Sequence, residues 1–175
     1  MYKVKTRSKI FLIGMMGSGK TFWSKKLSIK LKTAAYDLDN LVEIMEERSI
    51  SEIFKQSGED FFRKEESKML KLFGQKKSYI LSCGGGTPCY YDNLEWMNKT
   101  GITIWLDEPI EVLANRLATE KHLRPLIKTL KDDELAPFLE EKLADRLPFY
   151  CNAAYRLSGV QITESNLINI VQDHA

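Results

Sequence analysis

The chain has little of what many functions require. Among its 175 residues only two are histidine and three are cysteine. Cys83, Cys89 and Cys151 are odd in number and spaced like neither a disulfide framework nor a zinc site, so a reducing compartment is expected. His122 and His174 have no partners in sequence. No charge of one sign dominates: Lys+Arg 26 against Asp+Glu 24 leaves a net charge of +2, which argues for neither a nucleic-acid nor a membrane-surface partner. Short basic pairs such as Lys25-Lys26 and Lys76-Lys77 read as solvated faces. Long apolar runs are missing too, since Ile10 to Ile13 meets Gly14 after four residues. That excludes a signal-peptide core, and no other stretch approaches the ~18 residues of a membrane span. A cytoplasmic protein is expected, with 1–175 as a single domain.

What is present alternates between strand and helix signals. Ile10–Ile13 reads as a strand buried on both faces. From Lys20, apolar residues at Phe22, Trp23, Leu27 and Leu31 follow helical spacing. A short segment near Ala34–Tyr36 follows, then helical Leu41–Arg48, Ile53–Lys55 and about Glu59–Phe73. Ser78–Ser82 and Ile102–Leu106 read as strong strands, with helices over Tyr91–Met97 and Ile110–Thr119. Residues 120–131 are basic and broken by Pro125, which suggests a mobile lid. Glu134–Tyr150 reads as a helix with Pro137 in its first turn and Pro148 bending or ending it. A strand near Tyr155–Leu157 and a helix over about Glu164–Asp173 complete the pattern. Such alternation implies crossovers, and so an α/β three-layer sandwich on a parallel sheet of about five strands.

Between the first strand and first helix stands Gly14-Met15-Met16-Gly17-Ser18-Gly19-Lys20-Thr21, a full G-x-x-x-x-G-K-[ST] phosphate-binding loop. Its glycines let successive amides point into one concavity, and the helix N-terminus adds positive potential. Lys20 can reach the β- and γ-phosphates, and Thr21 can ligate Mg²⁺. An accidental glycine-rich turn is the bland alternative, and it does not explain the complete motif in this context. The loop binds nucleotide without naming an acceptor.

Four later constellations bear on the acceptor. Asp37-Leu38-Asp39 can turn two carboxylates toward the loop, Asp37 for a metal-bound water and Asp39 as a base; Asp39 or Asn40 can equally cap the next helix. Arg63 and Glu66 sit three apart on a helix beside Phe61 and Phe62. They form either a surface pair or a fixed guanidinium for a carboxylate. Gly84-Gly85-Gly86 ends a strand with more glycine than a turn needs, which suggests a ligand against bare backbone. Cys83 beside it reads as a buried filler. Arg124 in the lid and Arg146 near a helix end suit phosphoryl transfer or plain solvent exposure.

Taken together, GMMGSGKT (14–21), DLD (37–39), SGEDFFRKEE (57–66), LSCGGGT (81–87), RPL (124–126) and RLPFY (146–150) resemble, in order, the shikimate kinase family of P-loop kinases. The resemblance spans nearly the whole chain. It implies a nucleoside-monophosphate-kinase-like fold with a lid and a substrate-binding helical region, and transfer of phosphate from ATP to the 3-hydroxyl of shikimate with Mg²⁺ as cofactor. By resemblance, Lys20, Asp39 and Arg124 are catalytic. Gly17, Ser18, Gly19, Lys20, Thr21, Phe22, Arg116, Arg124 and Gln161 hold ATP. Asp39, Arg63, Gly84, Gly85, Gly86 and Arg146 hold shikimate, and Thr21 and Asp37 serve the metal. A monomer is expected. Ser82 stands where a Walker B aspartate would be, as in the family, whereas Phe22-Trp23-Ser24 carries more bulk after the loop than members commonly do. Two other readings are a gluconate-type sugar-acid kinase and a nucleotide-binding paralogue without transfer. Asp37-x-Asp39, Arg63 and the triple glycine favour shikimate over the first, and retention of Lys20, Asp39, Arg63, Arg124 and Arg146 speaks against the second.

Overall fold

A computed structural model describes residues 9–121 and 126–174. In chain order the elements are β1 (Lys9–Ile13), α1 (Lys20–Leu31), β2 (Ala35–Asp37), α2 (Leu38–Glu46), α3 (Ile50–Phe73), β3 (Tyr79–Ser82) and α4 (Asn93–Thr100). They continue with β4 (Ile102–Asp107), α5 (Ile110–Ala118), α6 (Asp132–Tyr150), β5 (Tyr155–Ser158) and α7 (Glu164–Gln172). The strands form one five-stranded sheet in the order β2-β3-β1-β4-β5, and every pairing is parallel.

Side-chain alternation in the strands divides the core in two. Phe11 and Ile13 of β1, Tyr79 and Leu81 of β3, and Trp105 of β4 face a cluster completed by α2 to α6. Ile10, Leu12, Ile80, Ile104 and Leu106 face the other way, onto Leu27 and Leu31 of α1 and Leu167 and Val171 of α7. With helices on both faces the sheet has no wet side, which is why Ile10–Ile13 of β1 are all apolar. All strands run the same way, so their C-terminal ends, and the loops that follow, share one rim.

Several element boundaries differ from the sequence reading, among them the helix expected over Tyr91–Met97, which is Asn93–Thr100, and three have a visible physical reason. The α2 helix begins at Leu38 rather than Leu41, because the Asp37 carboxylate accepts from the Asp39 amide and caps it there. The capping assigned to Asp39 or Asn40 thus falls to Asp37. The α6 helix begins at Asp132, two residues early, with Glu134 accepting from the Lys131 amide at 2.7 Å. Pro137 therefore lies in its second turn, and Pro148 does not end the helix. It continues to Tyr150, whose fully buried ring packs 5.5 Å from that of Trp105. The two expected helical pieces before β3 are joined as α3 across a kink at Gly58, where φ is 83°. Only a residue without Cβ takes that angle readily.

Candidate active site

The phosphate-binding loop crosses the rim from β1 to α1. Gly17 and Gly19 take φ values of 79° and 86°, inside the left-handed region. Gly17 is also crowded: a Cβ there would stand 3.1 Å from Cγ of Leu117. Lys20 Nζ donates to the carbonyls of Gly14 and Met15, both at 2.9 Å, so the ammonium is folded over the loop. The Ser18 hydroxyl is buried without a hydrogen-bond partner among the described residues. Arg116 comes from α5 and donates to the Gly17 carbonyl at 3.0 Å while pairing with Glu108 at 2.9 Å. It is thereby fixed to the back of the loop.

Three oxygens gather where α1 meets the ends of β2 and β3. Thr21 Oγ1 donates to Asp37 Oδ2 at 2.9 Å and lies 3.3 Å from Ser82 Oγ, while Asp37 and Ser82 are paired in register. No group of three or more His, Cys, Asp or Glu side chains able to hold a metal occurs among the described residues. One hydroxyl with one carboxylate nevertheless fits a Mg²⁺ ion, which keeps most of its water and takes few protein oxygens.

Beyond β3 the three glycines are crossed by charged side chains. A Cβ on Gly84 would lie 2.7 Å from Glu66 Oε1 and 3.0 Å from Asp39 Oδ1, one on Gly85 would lie 2.7 Å from Arg146 Nη1, and one on Gly86 would meet Arg63 Nη2. The bare backbone thus accommodates the protein's own carboxylates and guanidinium groups. Tyr150 Oη donates to the Gly85 carbonyl at 2.6 Å and pins the strand end from above.

Arg63 is held on several sides. Its Nη1 donates to Glu66 at 3.0 Å, and its Nε and Nη2 donate to Glu59 at 3.1 and 2.9 Å. The rings of Phe62 and Tyr90 lie 5.0 and 4.7 Å from its Cζ. Glu66 is fully buried and accepts also from Thr87 Oγ1 at 2.5 Å. The Arg63–Glu66 pair is therefore a buried fixture and not a surface decoration. Burial pushes the Glu66 carboxyl up, and Arg63 and Thr87 draw it down. Asp39 goes furthest: burial, then repulsion from Glu66 and Asp37, raises it from its ordinary 3.8 to about 7, against the pull of Lys20 and Arg63. A carboxyl that titrates near neutrality can take a proton and give it up again.

Of the residues singled out in sequence, the structure draws Lys20, Asp39, Arg63, the three glycines and Arg146 around one rim, with Thr21 and Asp37 beside them. Arg124 lies outside the described residues. Gln161 is exposed in a turn after β5, where its Oε1 accepts from the Ser158 amide. Cys83 is a buried filler whose thiol is pushed up by burial. Glu59, Thr87, Tyr150 and Met15, whose sulfur lies 3.4 Å from Arg146 Nη1, were not singled out. All four lie within the motifs that carry the resemblance, and Glu59 also stands at i, i+4 from Arg63; their contacts, though, join segments far apart in the chain for Tyr150 and Met15.

A family model described as Shikimate kinase matches residues 16–173. A shikimate kinase of Bacteroides fragilis is 42% identical over 147 residues, which are 84% of this chain and 82% of that protein. The crystal structure of shikimate kinase from Bacteroides thetaiotaomicron superposes with a TM-score of 0.84 at 36% identity, covering 95% of this chain and 96% of that one. Shikimate kinase from Acinetobacter baumannii, solved in complex with shikimate, gives 0.81 at 28% identity over 97% and 92% of the two chains.

Proposed function

The chain belongs to the shikimate kinase family, and on that premise we propose that it transfers the γ-phosphoryl group of ATP to the 3-hydroxyl of shikimate, giving shikimate 3-phosphate and ADP. One observation carries the reading: Asp39, Arg63 and Arg146 converge on the three-glycine end of β3, beside the phosphate-binding loop. A hydroxyl acceptor with a carboxylate needs a base for the one group and guanidinium forks for the other. Both are present on that rim.

In this mechanism Arg63 and Arg146 grip the acceptor carboxylate and so fix the ring. Asp39 accepts the proton of the 3-hydroxyl as its oxygen bonds to the γ-phosphorus and the bond to the leaving ADP oxygen breaks. Lys20 turns from the Gly14 and Met15 carbonyls to the β- and γ-phosphates and neutralises charge that grows during transfer. Thr21 would hold Mg²⁺ directly and Asp37 through its water; when bound, the ion neutralises phosphate charge. Arg124 is assigned to the phosphates by family resemblance. By the same resemblance residues 120–131, of which 122–125 lie outside the described residues, serve as the lid of a single domain, 1–175, acting as a cytoplasmic monomer. No described helix is long and apolar enough to cross a membrane.

The test is an acceptor panel with purified protein and a coupled assay of ADP release. Shikimate should support rapid turnover and gluconate should not. Turnover with gluconate alone would move the protein to the sugar-acid kinases, and ADP release with neither acid would favour a paralogue that has lost transfer.

A further inference from the structure

Tyr90 has no part in the proposed chemistry, yet its ring lies against the guanidinium assigned to the acceptor. Arg63 is placed over two rings, with Cζ 5.0 Å from the centroid of Phe62 and 4.7 Å from that of Tyr90. Phe62 is buried, whereas Tyr90 is 38% exposed. Tyr90 is therefore the outer of the two, and what it covers is a cation that is itself buried. An aromatic face attracts a guanidinium placed over it, and the attraction grows as water is excluded. The Tyr90 hydroxyl adds little, since it stands 3.5 Å from Glu59 Oε1.

Orientation matters at Arg63 because few of its donors remain. Among the described residues, Glu59 and Glu66 take one N–H from each of its three nitrogens, out of the five that a guanidinium carries. One N–H on Nη1 and one on Nη2 are left for an acceptor carboxylate. A tilt of the plane would misalign both together, and a ring against the guanidinium resists that tilt. The turn that carries the ring is strained. Tyr91 and Asp92 follow Tyr90 with φ of 51° and 55°, two consecutive residues with Cβ in the left-handed region. Such backbone persists only where its surroundings hold it. Asn93 does so: it is fully buried, its amide donates to the Tyr90 carbonyl at 3.0 Å, its Nδ2 donates to the Thr87 carbonyl at 3.0 Å, and its Oδ1 accepts from Ser67 Oγ at 2.7 Å. Ser67 follows Glu66 on α3, so the turn that carries Tyr90 is fastened to the helix that carries Arg63.

We propose that Tyr90 is a positioning residue for the acceptor: its ring covers the Arg63 guanidinium, keeps water from it and holds the two remaining N–H groups in line with the acceptor carboxylate. The inference rests on the kinase reading, which supplies that carboxylate. Tyr90 acts through Arg63, and the aromatic face, not the hydroxyl, does the positioning.

Calorimetric titration with shikimate and with ATP, together with steady-state kinetics, separates positioning from general support. Y90A should bind shikimate about fivefold more weakly and raise its KM to match, with kcat and ATP affinity within about twofold of the parent. Y90F should restore shikimate binding, and Y90L, which fills similar space without an aromatic face, should not. The comparison of Y90L with Y90F carries the test alone if truncation to alanine unfolds the turn. In an R63A background, Y90A should cause no further loss of shikimate affinity, because nothing remains for the ring to hold. Unchanged shikimate affinity in Y90A, or full affinity in Y90L, would overturn the inference by returning Tyr90 to a space-filling surface residue. A matching loss of ATP affinity would overturn it by making the ring a general support of the fold, and an undiminished effect of Y90A without Arg63 would separate the ring from the guanidinium. A parent protein that binds ATP but not shikimate would overturn the acceptor reading and this inference with it.

Discussion

A Cβ placed on Gly86 would stand 2.5 Å from Nη2 of Arg63, so the third glycine is the seat of a guanidinium group. Its φ of −91° suits alanine, which makes the contact, and not backbone strain, the obstacle. Gly86→Ala should push Arg63 off its seat, weakening shikimate binding by about tenfold or more while leaving ATP binding unchanged. Calorimetric titration of each ligand into the folded variant checks this. Undiminished shikimate affinity would detach Arg63 from the acceptor.

The two arginines should separate in stability though not in binding. Arg63→Ala and Arg146→Ala should each weaken shikimate binding by about 1.5–3 kcal/mol, with ATP affinity nearly constant. Arg63→Lys should recover only part of that loss, since an ammonium lacks the fork. Arg63→Ala also strips the fully buried Glu66 of its guanidinium, leaving the Thr87 hydroxyl. Urea unfolding at neutral pH should show a loss of about 3–5 kcal/mol for Arg63→Ala, shrinking on acidification as Glu66 takes a proton, and a much smaller one for Arg146→Ala. Equal stability of the two variants would mean that Glu66 does not depend on Arg63.

Asp39 should set a pH dependence of both rate and stability. In the proposed role of base it must be ionised, so kcat/KM for shikimate should rise with pH through about 7 and level off above it. Asp39→Asn should lower kcat by about 10²–10⁴-fold and remove that ascending limb. For stability the sign is opposite. The folded state holds the Asp39 proton up to about 7, whereas the unfolded chain releases it near 3.8, so this residue's contribution declines as pH rises between those values. Asp39→Asn should therefore unfold at higher urea than the parent at pH 8 and lose that advantage near pH 4. A flat pH–rate profile from pH 5 to 9 would remove Asp39 from the base role.

Lys20 and Asp37 probe the nucleotide side. Lys20→Ala should fold and yet lose turnover, because in the proposed mechanism the ammonium acts on the transferring phosphoryl; near-normal kcat would sink the assignment. Asp37→Asn keeps a side-chain oxygen to cap α2 but halves the polar pair at Thr21. The Mg²⁺ concentration for half-maximal rate should rise by about 10–100-fold with little change in thermal stability. An unaltered Mg²⁺ requirement would place the ion elsewhere.

Much of this was legible in the residues. The run Ile10–Ile13, the loop from Gly14 to Thr21 and the helical spacing behind it form a local sequence–structure unit, because phosphate binding there depends on backbone amides that a glycine pattern positions directly. Strand and helix alternation carried the parallel sheet in the same way. Boundaries were less legible: Asp37 and not Asp39 caps α2, and α6 runs through Pro148, because caps and anchors are chosen by competition among neighbours.

The sequence by itself determined the chemistry on offer, namely the phosphate-binding loop, the paired aspartates, a guanidinium next to a carboxylate, and three glycines in a row. Only the tertiary structure decided how each is placed and what surrounds it. The Arg63–Glu66 pair reads as surface or fixture with equal ease until Thr87 and Gly86 close over it, and Asp39 has an ordinary pKa until burial and Glu66 raise it. Tyr150 reaches Gly85 across 65 positions of chain, a contact no local pattern encodes. Local spacing fixes which groups share a helix face or a turn, whereas desolvation and charge coupling depend on every group that folding brings within a few ångströms.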